Sequence, residues 1–120
     1  MMKHVLLVDE TPLLATLMSD KLAQLGPSKI HFDLASSVKQ AIALLQQKAF
    51  DLLLINSQAD RLDALEVLGQ LREADCETEA IAVAGWLTPQ LVEHGENLGV
   101  SRFFRLPAEV DAFACHLKFS

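Results

Sequence analysis

The sequence has no long apolar run. Stretches such as Val5 to Val8 and Leu52 to Ile55 are about four residues long, far short of the ~20 a membrane span requires. It also lacks a signal-like start, because Met1 to Glu10 turns acidic before an apolar region can form; a cytosolic protein is expected. Basic residues are in deficit, with 10 Lys plus Arg against 16 Asp plus Glu. A net charge of -6 argues against direct nucleic-acid binding, which needs a basic face. Cys76 and Cys115 are the two cysteines, too far apart for a Cys-x-x-Cys or zinc pattern, and two reduced structural thiols are expected. The four histidines, His4, His31, His94 and His116, are equally dispersed. No internal repeat is visible. Neither Gly-x-Gly-x-x-Gly nor Gly-x-x-x-x-Gly-Lys-Ser/Thr occurs, so a phosphate-cradling loop of the nucleotide or flavin kind is missing.

What is present is a core. Apolar residues make up 51% of the 120 positions and charged residues 22%, which suits one globular domain over residues 1–120. Strand, loop and helix signals alternate five times. Val5 to Val8 reads as a strand buried on both faces. Thr11-Pro12 follows as N-cap and first helical residue, then Leu14, Leu17, Met18, Leu22 and Leu25 at helical spacing, closed by Gly26-Pro27. Ile30 to Leu34 is a second strand, with Ser36 or Ser37 capping a helix that carries Val38, Ala41, Ile42 and Leu45. Asp51 to Asn56 is a third, followed by the polar loop Asn56 to Asp60 and a helix bearing Leu62, Leu65, Val67, Leu68 and Leu71. Ala80 to Ala84 is a fourth, and Thr88-Pro89 repeats the cap signal before Leu91, Val92 and Leu98. Arg102 to Leu106 is a fifth, before Pro107 and a short helix from about Ala108 to Lys118. The pattern predicts an α/β fold, a flavodoxin-like doubly wound (βα)5 with a five-stranded parallel sheet in the order 2-1-3-4-5.

Such folds place their site at the carboxyl ends of the strands. Here those ends bring Asp9 and Glu10, Asn56, Gly85 and Trp86, and Leu106. Adjacent acids suit a hard cation such as Mg²⁺ better than a phosphate. Val5 to Pro12, with its strand and acidic pair, then Phe50 to Asn56, Asp63 to Leu68, and Gly99 to Pro107 together resemble the response-regulator receiver domain of two-component signalling. The resemblance spans nearly the whole chain and rests on the order and spacing of these motifs.

The resemblance implies roles for these positions, and the residues depart from them. The family's acidic, Mg²⁺-holding pair falls on Asp9 and Glu10. Its phospho-acceptor aspartate falls on Asn56, whose carboxamide is too weak a nucleophile to attack phosphorus. Its hydroxyl after the fourth strand falls on Gly85, and its lysine before the last proline on Leu106. Neither can touch a phosphoryl oxygen. The rotating aromatic of the fifth strand falls on Phe103. A shift of register does not restore the acceptor, because Asp51 opens the strand and Asp60 lies four residues beyond its end. Deamidation of Asn56-Ser57 would still leave Gly85 and Leu106 in place. The expectation is therefore a degenerate, phosphorylation-independent pseudo-receiver, not an enzyme, with no cofactor beyond weak Mg²⁺ at Asp9 and Glu10. Trp86 is a possible plug of the emptied pocket or a surface anchor. A residual phospho-receiver and a small-molecule sensor using the vestigial pocket are the alternatives.

Function would then lie in surfaces. The resemblance points to the face of the fourth helix, fifth strand and fifth helix for a protein partner or homodimer. Phe103 and Arg105 share one side of the strand there, an aromatic–arginine pair of interface type, while Phe104 should face the core. Phe103 can instead pack under the fourth helix. The acidic run Glu73, Asp75, Glu77, Glu79 reads as a solvated loop, or as a surface that steers a basic partner.

Overall fold

The computed structural model describes residues 2–27, 29–57, 63–74 and 76–119. Strands and helices alternate among them as β1 (Lys3–Val8), α1 (Leu13–Gln24), β2 (Ile30–Ala35), α2 (Val38–Gln47), β3 (Leu52–Asn56), α3 (Ala64–Glu73), β4 (Ala80–Ala84), α4 (Pro89–Asn97), β5 (Val100–Arg105) and α5 (Val110–Phe119). Every pairing is parallel, and the strand order is β2-β1-β3-β4-β5. This is the doubly wound, flavodoxin-like topology that the alternation predicts.

The central strands read as unbroken apolar runs because both of their faces are covered. Leu6, Val8, Leu53, Ile55, Ala80 and Ala82 pack toward α2, α3 and α4. Their neighbours Val5, Leu7, Leu52, Leu54, Ile81 and Val83 pack toward α1 and α5, where Met18, Phe113 and Leu117 close the second core.

Local chemistry sets the helix starts. Ser37 Oγ accepts the Gln40 N–H at 3.2 Å, Asp63 Oδ1 that of Glu66 at 3.1 Å, and Thr88 Oγ1 that of Leu91 at 3.1 Å, each satisfying a donor the first turn leaves open. The first helix departs from the sequence reading. Pro12 has ψ of 6°, in the bridge region rather than the helical well, so α1 begins at Leu13 and Thr11 is not its cap. Gly26 takes φ of +109° and turns the chain out of α1. The fifth strand starts two residues earlier than expected and ends at Arg105, and α5 begins at Val110. The Leu106–Pro107 peptide between them is cis. Gln58, Ala59, Asp60, Leu62 and Asp75 lie outside the described residues. No helix of the described residues is long and apolar enough to cross a membrane.

The sheet's hydrogen bonds run one residue past the strands at the carboxyl end. Asp9 N–H reaches Ala35 O at 3.1 Å, Ser57 N–H reaches Val83 O at 2.8 Å, and Leu106 N–H reaches Ala84 O at 2.9 Å. Asp9, Asn56 and Leu106 are thus held by backbone before their side chains act.

Candidate functional site

Asp9 and Asn56 are the buried polar residues of the described chain, 3% and 8% exposed. Burying such groups is unfavourable unless they are hydrogen-bonded. Here they satisfy each other. Asn56 Nδ2 donates to Asp9 Oδ2 at 2.8 Å, and the Glu10 N–H donates to Asp9 Oδ1 at 2.7 Å. A carboxylate only accepts, so the amide turns its NH2 toward Asp9. Both oxygens of Asp9 therefore carry an N–H donor, one from backbone and one from the neighbouring strand end. Glu10 is half-buried beside them. Ser57 Oγ, next in sequence to Asn56, is buried with no hydrogen-bond partner.

The remaining strand-end residues do not join this pair. Leu106 is buried with Phe104 and Phe113 in the core beneath α1 and α5, so the last strand sends an apolar side chain into packing. Gly85 is exposed and offers only backbone. Trp86 is 75% exposed. Of the two readings of Trp86, plug or surface anchor, this exposure fits the surface position and not a ring buried over Asp9 and Asn56. Among the described residues no cluster of three or more His, Cys, Asp or Glu is placed to hold a metal ion.

Residues 5–117 match the family model described as the response regulator receiver domain. The chain belongs to that family. A receiver domain is a signalling module of two-component systems. The receiver fold recurs in solved structures of low sequence identity. Chemotaxis protein CheY4 of Vibrio cholerae superposes with a TM-score of 0.78 at 18% identity, covering 98% of this chain and 97% of that one. A two-component response regulator from Legionella pneumophila gives 0.79 at 17%, covering 96% and 94%. The Francisella response regulator 1452 receiver domain gives 0.75 at 21%, covering 96% and 93%. No curated protein matches the receiver chain.

On the α4–β5 side of this receiver, Phe103 and Arg105 do share one side of the strand but do not form a joint exposed pair. Phe103 is half-buried and packs against the core under α4. Arg105 is exposed; its backbone N–H donates to Glu109 Oε1 at 2.8 Å, and its Nε lies 3.9 Å from the same oxygen. Phe104 faces the other core, as expected. Glu73, Glu77 and Glu79 are exposed, and Glu79 accepts from Ser101 Oγ at 3.1 Å.

Sequence reasoning missed three things. One is the Asn56–Asp9 bond itself, though an amide and a carboxylate at adjacent strand ends signal it. Another is Arg72, whose guanidinium donates to the carbonyls of Leu98 at 2.8 Å, Cys76 at 2.8 Å and Thr78 at 2.7 Å. It ties the end of α3 to the end of α4. The third is the fit of Phe103 against Gly95, at which a Cβ would lie 2.6 Å from the ring's Cζ.

Proposed function

We propose that this receiver domain works without phosphorylation, as a protein-interaction module in two-component-type signalling or transcriptional regulation. The observation that carries the reading is the Asn56 amide donating to Asp9 at 2.8 Å in a buried setting. A carboxylate at position 56 would face Asp9 with like charge and need a cation between them. The amide removes both the nucleophile and that need. The neutral Asn56 carboxamide is too weak a nucleophile to attack phosphorus, Gly85 lacks a hydroxyl, and Leu106 lacks a charge and is spent in the core.

The donor set argues against a resident Mg²⁺. That ion wants oxygen ligands in near-octahedral array, whereas both oxygens of Asp9 accept N–H groups and Asn56 turns its NH2 inward. At most a weak site at Asp9 and Glu10 remains.

The surface proposed for the partner, or for a second copy, is that of α4, β5 and α5. Its exposed groups include charges of both signs, Glu93 and Glu96 on α4, Arg102 and Arg105 on β5 and Asp111 on α5, beside the exposed Phe119 at the end of α5. Rim charges of both signs favour orientation and on-rate over bulk affinity. The test is the intact mass of the domain after incubation with Mg²⁺ and acetyl phosphate. An unmodified mass is expected. A phosphoryl adduct would refute the reading.

A further inference from the structure

β2 stands at one end of the sheet and β5 at the other, and the two edges are built differently. β5 breaks register with β4 between Ala80 and Ile81 and carries the exposed Arg102 and Arg105, two devices that discourage a further strand. β2 pairs with β1 in unbroken register from Ile30 to Ala35. Lys3 N–H donates to Lys29 O, and Asp9 N–H to Ala35 O, so the odd-numbered residues along β2 turn their backbone groups toward β1. A parallel ladder alternates. Ile30, Phe32 and Leu34 therefore turn theirs outward, where no strand of the described residues lies.

The side chains alternate between the sheet's faces. Ile30, Phe32 and Leu34 are half-buried on the α1 side. α1 sets Ala15, Ser19 and Ala23 along a groove floored by Ile30 and Phe32. His31 and Asp33 lie on the other face. His31 Nε2 is 3.4 Å from Asp33 Oδ1, and Lys48 Nζ holds the second oxygen of Asp33 at 2.5 Å.

We propose that β2 is the interface between two copies of this receiver, paired antiparallel about a two-fold axis at Phe32, so that their sheets join into one. A two-fold contact must be self-complementary, and this register is. Phe32 then faces Phe32 of the second copy, Ile30 faces Leu34, and His31 faces Asp33. The three outward residues of each strand exchange N–H and C=O bonds with those of the other, and none is left over. An axis at His31 or Asp33 would set that residue against its own copy and leave one outward residue without its counterpart. The aromatic pair and the two His–Asp pairs are cross-strand contacts of stabilising type, and the apolar pairs lie in the groove that α1 leaves open. The pairing does not rest on the phosphorylation-independent reading, and it leaves the α4–β5–α5 surface free at the far edge.

Two measurements on the unmodified domain test it: sedimentation velocity across a range of concentrations, and amide hydrogen exchange read residue by residue. A reversible dimer is expected. As it forms, exchange should slow about tenfold at Phe32 and Leu34, while the amides along β5 keep their rates. A charge exchange gives the third readout. His31→Asp sets acid against acid across the axis, and Asp33→Lys sets base against base. Each alone should weaken self-association about tenfold, and an equimolar mixture should restore it, because each variant then meets its opposite. A domain that stays monomeric at every concentration, a dimer whose Phe32 and Leu34 amides exchange as fast as in the monomer, or a mixture that associates no better than its components would overturn the proposal.

Discussion

At the ends of β1 and β3 two polar side chains are buried against each other. At the α4–β5 seam an aromatic ring is buried against a missing side chain. The first contact is chemical: replacing an acid by an amide changes what the site can bond to. The second is steric: one absent methyl group decides where a ring sits. The polar contact should be the more sensitive to substitution, because an unsatisfied buried charge is worse than a displaced ring.

Breaking the polar contact should give the largest effect. Asn56→Leu leaves Asp9 Oδ2 buried without its donor, which should cost about 3 kcal/mol of stability, read as a fall in the urea midpoint at unchanged slope. Arg72→Met comes next. It keeps the stem but strips three carbonyls of their donor, for a loss of roughly 2 kcal/mol, and hydrogen exchange should quicken at the end of α4 more than in α1. The steric contact follows. Gly95→Ala should destabilise the domain by about 1–2 kcal/mol through overpacking, and an unchanged midpoint would mean the seam yields more easily than its geometry implies.

The smallest effect is set by pH. His116 packs by Phe104, and its pKa is held below the usual 6.5 by burial first, then by Arg102 and Lys3, with Glu79 opposing. A histidine with a depressed folded value favours the neutral form, so folding incurs no penalty above pH 6.5 and loses stability as pH falls below it. His116→Gln should flatten that slope in acid titrations of the melting temperature. Asp33 adds a lower window. Burial raises its pKa, but the hydrogen bond and charge of Lys48, with His31, outweigh this and leave it below 3.8. Its contribution is present above pH 3.8 and is lost as pH falls through the lower folded value.

The contrast between the two regions also explains what the sequence made legible. Residue types at strand ends carry their chemistry openly, so Asp9, Asn56, Gly85 and Leu106 could be placed before any coordinates. Ser37, Thr88 and Gly26 announced their caps and turn for the same reason, since a local hydrogen bond or a left-handed φ needs a particular residue. Trp86 and Phe103 were open to two readings, because an aromatic in a loop or on an edge strand is equally suited to burial and exposure. The fold turns Trp86 outward and Phe103 inward. Gly95 and Arg72 were silent. A glycine inside a helix shows its purpose only when the ring beneath it is seen, and a guanidinium that serves three carbonyls from separate segments has no sequence pattern.

The central claim is that the Asn56 amide stands in for a cation beside Asp9. The most direct measurement is thermal unfolding of the parent and of Asn56→Asp, each with and without Mg²⁺. The account predicts a parent indifferent to Mg²⁺. It predicts that Asn56→Asp melts lower by about 8–12 °C without the ion, given roughly 4 °C per kcal/mol for a domain of this size, and recovers when Mg²⁺ is added. A parent that Mg²⁺ stabilises as much as the variant, or an Asn56→Asp domain as stable as the parent without Mg²⁺, would contradict it.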